Sequence, residues 1–430
     1  MVGFPRIHVF FTLSVRLLCY AGGNDEAATV VSCVNSFILI KEKLMQNLTL
    51  SRRQLLAAGG ATVATLALLN SRFAQAAPLR QGDEVIPWLD QPAENPVPQI
   101  IANQQTWEDL GDWITPNDKF FGIAHYGWPE IDAGAWSLAV DGAVDNPLSF
   151  TLADLQARPK QELTFTLECS GNTGLPFFHG GIGTAKWGGT PLAAILEEAG
   201  IQDDGVEVVF FGSDIGETTV RETVMKQPFA RSMSIADAMH PDNLLVYEMN
   251  GEALPAANGA PVRLIAPGWY GIANVKWLSR IEIWKTRLAN HFMARDYVTI
   301  RNEGTEEEPI WTESLVGKAL LKSAPGRVVK SGDSYRIDGA AWGAPIRYVE
   351  VKIDDGPWQR ARLDRSQRAE YAWTFWSFNW AEAEAGEHTI TSRAVDTSGN
   401  MQPAMDDPMI AQKITYWESN GQITRKVQIE

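Results

Sequence analysis

Residues 163–191 read LTFTLECSGNTGLPFFHGGIGTAKWGGTP. The stretch opens as a strand, with Leu163, Phe165 and Leu167 alternating with Thr164, Thr166 and Glu168. At Cys169 the alternation stops and glycines take over. Gly171, Gly174, Gly180, Gly181 and Gly183 permit turns at positive φ or close approach of backbone to a bound group. A further pair, Gly188-Gly189, follows Trp187. Thr190-Pro191 then opens a helix, LAAILEEAG, that stops on Gly200. The reading places a thiol at the end of a buried strand, facing a pliable polar loop.

The chain has three cysteines, Cys19, Cys33 and Cys169. The first two precede a segment expected to be cleaved, which leaves Cys169 without a disulfide partner. A lone cysteine is more often a small buried hydrophobe than a ligand. The glycines and the polar Ser170, Asn172 and Thr173 around it argue for the ligand, since core packing does not call for a flexible polar loop.

Three stretches, Glu168-Cys169-Ser170-Gly171-Asn172, Thr184-Ala185-Lys186-Trp187-Gly188-Gly189 and Asn274-Val275-Lys276-Trp277-Leu278, resemble in order the motifs of the sulfite oxidase family of molybdenum enzymes. The resemblance runs from about Thr115 to the C-terminus. It implies that Cys169 is the thiolate ligand of molybdenum, in keeping with the preference of a soft metal centre for thiolate. The implied fold class is α+β: a mixed α/β molybdopterin-binding catalytic domain over residues 115–310, then an immunoglobulin-like β-sandwich over 311–430 that serves dimerisation. By the same resemblance His125, Asp214, Asn258, Arg263, Asn274, Val275 and Lys276 bind the pyranopterin cofactor. Arg263 and Lys276 would meet its phosphate and neighbouring polar groups, and Asp214 its ring nitrogens. Asn258 stands where many relatives have histidine; an amide still bonds to phosphate, but without charge. Residues 294–297 resemble the segment carrying the family's active-site tyrosine, which makes Tyr297 the second catalytic candidate. Animal members place arginines where this chain has Ile123 and Gly174, so the anion pocket is expected to differ. Arg295 and Arg347 are candidate replacements.

The implied chemistry is oxygen-atom transfer to sulfite or a related sulfur compound, with electrons passed to a separate c-type cytochrome. No C-x-x-C-H occurs, so no covalently held haem is expected in this chain. Neither a phosphate loop nor a dinucleotide fingerprint is present. Two other readings stay open. One is a periplasmic molybdenum reductase of the methionine sulfoxide type, although such reductases generally lack a C-terminal sandwich. The other is an exported β-rich binding protein in which Cys169 is merely buried.

Charge and leader bear on partners and compartment. Residues 77–430 carry 49 acidic and 30 basic residues, a balance of −19. That argues against nucleic acid and anionic membranes and suits a basic protein partner. Residues 51–56, SRRQLL, form a twin-arginine motif. An apolar run over 57–69 and Ala74-Gln75-Ala76 follow. The order is that of a signal peptide over residues 45–76, and periplasmic export by the twin-arginine route is expected. Translation is expected to start at Met45, with residues 1–44 a doubtful extension. Residues 77–114, rich in proline, read as an extended arm over the catalytic domain, anchored by Trp88, Trp107 and Trp113.

Downstream, residues 135–142, 206–211, 244–249, 262–266 and 277–284 read as strands, and residues 234–239 as a helix. After about Trp311 the runs 335–342, 346–354, 373–376 and 388–396 recur between turns such as Asp355-Gly356-Pro357, the spacing of a sandwich. Trp373, Trp376 and Trp380 read as core and interface residues.

Overall fold

A computed structural model of the chain describes residues 79–430, apart from residue 382. The extension over 1–44 and the twin-arginine segment over 45–76 lie outside the described residues.

The catalytic half is built on two five-stranded sheets. One contains Gln161–Glu168, Ile182–Pro191, Leu244–Met249 and Glu252–Ala253 in that order, with Arg263–Ile265 also paired to Leu244–Met249. The other runs Leu148–Thr151, Ser137–Gly142, Leu278–Trp284, Glu207–Val220 and Thr223–Ser234. Periodicity explains what each element buries. In Leu192–Ala199 the residues Leu192, Ile195, Leu196 and Ala199 fall at helical spacing and are fully buried. Gly200, at φ +69°, closes that helix by donating its N–H to the carbonyls of Leu196 and Glu197. Val208, Val209 and Phe210 are each 0 % exposed, and burial of such side chains contributes about 1.5–3 kcal/mol apiece.

The C-terminal half is a β-sandwich. One sheet runs Glu84–Ile86, Lys322–Ser331, Ser334–Trp342, Thr374–Trp380 and Arg362–Leu363. The other runs Gln359–Arg360, Ile346–Ile353, Gly386–Asp396 and Ile423–Ile429. Trp376 and Trp380 fill the space between them.

The structure amends or extends the sequence expectations at four points. The glycine-rich loop is shorter than the reading gave it: Ile182–Pro191 is a ten-residue strand antiparallel to Gln161–Glu168. Its glycines serve close sheet packing, since a Cβ at Gly189 would lie 2.1 Å from the Leu245 carbonyl oxygen. Second, the polar side of Gln161–Glu168, exposed at Glu162, becomes buried towards Cys169. Thr166 is buried because residues 371–373 of the sandwich half run alongside, its N–H donating to Tyr371 O and Trp373 N–H to its Oγ1, and Glu168 is buried beneath Lys322 and Trp342. Third, Glu207–Val220 continues past residue 211, with a register shift between Phe211 and Ile215, and forms a hairpin with Thr223–Ser234.

Fourth, the N-terminal arm is not confined to the catalytic domain. Glu84–Ile86 joins the sandwich sheet, Trp88 sits in the sandwich core, and only Ile101–Ala102 pairs with the catalytic half, at Gly122–Ile123. Trp107 and Trp113 lie between the halves. Trp107 stacks on Trp342, and Trp113 and Trp373 exchange indole N–H bonds to each other's carbonyl oxygens. The chain crosses between halves through the hairpin of Val298–Asn302 and Trp311–Leu315, so a division at 310/311 falls between its strands.

Candidate functional site

Cys169 follows directly on the strand Gln161–Glu168. Its N–H donates to Gly181 O, and its carbonyl accepts from Asn172 N–H, closing a tight turn. The side chain is 7 % exposed and faces a cleft of about 560 Å³. Ile123, His125, Asp214, Arg263, Asn274, Lys276 and Tyr297 also line this cleft. Seven of the nine residues expected at the site therefore meet around one space. Asn258 and Val275 do not line it. The Val275 side chain packs in the hydrophobic core, and Asn258 is buried behind Arg263, whose guanidinium donates to its carbonyl at 2.8 Å.

Arg263 enters from Arg263–Ile265. It is 2 % exposed, donates only to the backbone carbonyls of Asn258, Leu264 and Asn274, and lies over the Trp187 ring. Burial pulls its pKa down to about 9. Lys276 lies half-buried over the Trp277 ring and donates to Ile123 O. Burial, and then the charge of Arg263, pull its pKa down to about 7 against the opposing pull of Asp214 and Cys169. Two cations thus face one cleft with no carboxylate bonded to either. Burying like charges together is costly unless an anion joins them.

Asp214 lies where the register shifts in Glu207–Val220. Its Oδ1 is buried without a hydrogen-bond partner, and burial raises its pKa to about 6 although Lys276 opposes. Ser170 Oγ is likewise buried and unpartnered. Asn274 is committed to its own loop. Its Oδ1 accepts from Ala266 N–H, and its Nδ2 donates to the carbonyls of Trp269 and Tyr270. It shapes the wall rather than offering a free amide.

His125 and Tyr297 form a pair, Nε2 to Oη at 2.6 Å. Phe229 stacks on the imidazole, and Phe292 meets it edge-on. Burial, then the charge of Lys276, push His125 down to about 3, so it is neutral at any physiological pH. Burial raises the Tyr297 phenol well above its usual value. Tyr297 adopts φ +56° and stacks on Trp417 at 4.1 Å, which fixes its ring from the other side. The Cys169 thiol is pushed up to about 12 by burial, so ligation of a metal must displace its proton.

The two departures from the arginine pattern have structural counterparts. A Cβ at Gly174 would stand 2.0 Å from the Tyr416 carbonyl oxygen, so no side chain fits there while residues 416–418 keep their path. Ile123 contributes apolar surface and a carbonyl to the cleft. Neither expected replacement lines it. Arg347 is exposed on Ile346–Ile353 of the sandwich, and Arg295 is exposed near the Tyr126 phenol.

Several residues that shape this site were missed in the sequence. Trp417 and Tyr416 come from the far end of the chain, Glu418 N–H donates to Ser170 O, and Lys322 reaches Glu168 from the sandwich. No local pattern marks Lys322, which stands between Leu320-Leu321 and Ser323-Ala324-Pro325. Arg231, buried beneath the site, donates to the carbonyls of Phe292 and Val316 and holds the wall behind His125.

A buried unpaired thiol, two cations awaiting an anion and an unpartnered carboxylate oxygen define a cleft for an anionic cofactor whose metal takes a thiolate. The comparisons agree with that class. Residues 125–292 match the family described as oxidoreductase molybdopterin binding domain, and residues 310–418 match the Mo-co oxidoreductase dimerisation domain. Sulfite oxidase of Gallus gallus is 34% identical over 322 residues, 68% of each chain. Mitochondrial sulfite oxidase of Mus musculus is 33% identical over 353 residues, 74% of this chain, and this chain spans 63% of its length. The crystal structure of the sulfane dehydrogenase SoxCD from Paracoccus pantotrophus superposes with a TM-score of 0.66 at 26% identity, covering 83% of this chain and 93% of that one.

The chain belongs to the sulfite oxidase family of molybdenum-cofactor oxidoreductases. The donor set fits the family's pyranopterin. Cys169 would hold the metal, Arg263 and Lys276 the phosphate end, and the free Asp214 oxygen a ring N–H.

Proposed function

We propose that this protein is a periplasmic molybdenum dehydrogenase that oxidises sulfite or a related reduced sulfur compound and hands the electrons to a separate c-type cytochrome. The observation that carries the reading is the convergence of the buried Cys169 thiol with Arg263 and Lys276 on one cleft. Bound there, a molybdenum pyranopterin supplies two-electron oxygen-atom transfer chemistry.

The protein's own part is positional. The turn at 169–172 presents the thiol. Tyr297 is held between His125 and Trp417 at the cleft wall; with His125 in its Nε2–H tautomer the imidazole donates to Oη, and the neutral phenol keeps its proton to donate to a negatively charged oxygen. Phe229, Phe121 and Ile123 keep part of the lining apolar and raise the strength of that bond by excluding water. The cleft lining offers the substrate no arginine besides the deeply buried Arg263. The site therefore gives a free anion few charged contacts, and sulfite is expected to bind weakly. The sandwich half supports a homodimer, and the acidic surface favours a basic electron acceptor. Twin-arginine export would carry the folded protein out with its cofactor in place.

The test is steady-state reduction of cytochrome c by the cofactor-loaded protein with sulfite, thiosulfate and polysulfide in parallel. Turnover with any of these supports the reading. Turnover with none, alongside reduction of methionine sulfoxide by a reduced dye, would replace it with the reductase alternative.

A further inference from the structure

Glu168 and Lys322 form an ion pair at 2.7 Å whose side chains are 0 % and 1 % exposed. Glu168 belongs to the strand that presents Cys169, whereas Lys322 begins Lys322–Ser331 of the sandwich. Every polar atom of the pair is engaged. Glu168 Oε1 accepts from Lys322 Nζ and from Asn172 Nδ2 at 2.9 Å, and Oε2 accepts from Trp342 Nε1 at 2.7 Å. Lys322 Nζ also reaches Asn172 O at 3.4 Å and Thr173 Oγ1 at 3.3 Å. Asn172 Oδ1 accepts from Gly181 N–H, and the Gly181 carbonyl in turn accepts from Cys169 N–H.

All three acceptors of the ammonium therefore lie on the cysteine turn. One precedes Cys169 and two follow it. A buried ion pair is poor value as a source of stability, because desolvating both charges offsets most of their attraction. What it does supply is direction: three donors on one rigidly held nitrogen fix the relative placement of residues 168, 172 and 173.

We infer that Lys322 is a positioning residue that aims the Cys169 thiol by gripping the turn on both sides of it, so that the sandwich half completes the cofactor site. The inference rests on the reading of Cys169 as the metal ligand. It gives the C-terminal half a role in the site beyond association of subunits. Trp342 shares the work from the same half, holding the second oxygen of Glu168 so that the carboxylate cannot rotate.

The test compares the full-length chain with the double variant Glu168→Gln/Lys322→Met, which removes both charges together, and with Thr173→Val, which removes one acceptor of the ammonium together with the Thr173 hydroxyl's own bond to Ser419 O. Amide hydrogen exchange of peptides covering residues 169–181 is measured on cofactor-free protein. Molybdenum loss on dialysis is measured on loaded protein, and thermal melting on both. The double variant is expected to melt close to the parent, yet to exchange in 169–181 and to lose molybdenum about tenfold faster or more, as local opening without global unfolding does. Thr173→Val is expected to move both in the same direction by about two- to threefold. Unchanged exchange and unchanged molybdenum loss in the double variant would overturn the inference, as would a lower melting temperature with both local readouts intact. If the double variant does not fold, Thr173→Val decides alone, and parental exchange in that variant overturns the inference. If the parent itself binds no molybdenum, the functional reading fails while the exchange data still decide whether Lys322 holds the turn.

Discussion

Cys169 would be an ordinary core residue if its neighbours were apolar. What distinguishes it is that Asp214, Arg263 and Lys276 face the same space with bonding capacity left over. Cys169→Ser should leave the fold intact and abolish bound molybdenum, read by metal analysis, because a hydroxyl is a poor ligand for a soft centre. Lys276→Met and Arg263→Gln should each weaken cofactor retention at least tenfold, since hydrogen bonds to charged groups contribute about 1.5–3 kcal/mol. Arg263→Gln should also lower stability, because three backbone carbonyls lose their donor. Tyr297→Phe should keep cofactor content and lower kcat by on the order of tenfold to a hundredfold, the effect of one lost donor. At this scale the sequence was legible where a residue sat inside a motif, as Cys169, Lys276 and Tyr297 show by lining one cleft, and His125 and Asp214, named by resemblance alone, line it too. Val275 sat inside a motif too, yet its side chain turns into the core, because adjacent residues in an extended loop face opposite ways. Glu168 was read as one face of an alternating strand. Its true partners, Lys322 and Trp342, lie more than 150 residues away, and no local pattern announces them.

Among the elements, Ile182–Pro191 carries the closest packing. Gly189→Ala would drive a Cβ onto the Leu245 carbonyl and split a central strand pair, at a cost of about 2–4 kcal/mol measured by denaturant unfolding. Gly174→Arg should likewise destabilise the protein rather than improve sulfite binding, since Tyr416 O occupies the space. The sandwich carries a titrating pair at its edge, His388 Nδ1 to Asp354 Oδ2 at 2.7 Å. Burial pulls His388 down, but the bonds to Asp354 and to the Glu384 carbonyl outweigh it, so its pKa is raised above the ordinary 6.5. The folded state thus holds this proton more tightly than the unfolded chain. The stabilisation is complete below about pH 6.5 and is lost as pH rises through the higher folded value. His388→Gln should therefore lower stability by less than about 1 kcal/mol at pH 6 and not at pH 9, read by melting at both. Strands with one apolar face were legible, as Leu278–Trp284 and Ile346–Ile353 show. Thr223–Ser234 was not, because its first four residues are exposed and only its second half reaches the core. Ile182–Pro191 was hidden by its glycines, which usually mark loops but here let the neighbouring strand's backbone at Leu245 approach closely within one sheet.

Across the whole molecule, the two halves share the site instead of standing side by side. The N-terminal arm joins the sandwich sheet, Trp113 and Trp373 lock the halves together, and residues 416–418 return to cover the cysteine turn. Order along the chain gives two domains, but only packing shows that the second one reaches Glu168 and Tyr297. The balance of −19 over residues 77–430 predicts that reduction of a basic cytochrome slows steeply as salt rises from 10 to 200 mM, followed by stopped-flow absorbance. A rate independent of salt would point to an acceptor recognised by apolar contact. The central claim, that Cys169 is the protein's ligand to a molybdenum pyranopterin, is tested most directly by elemental analysis. The parent chain and Cys169→Ser are purified in parallel from a host that makes and inserts the cofactor. About one molybdenum per parent chain and essentially none in the variant is the predicted result. Equal molybdenum in both, or none in the parent, would contradict it.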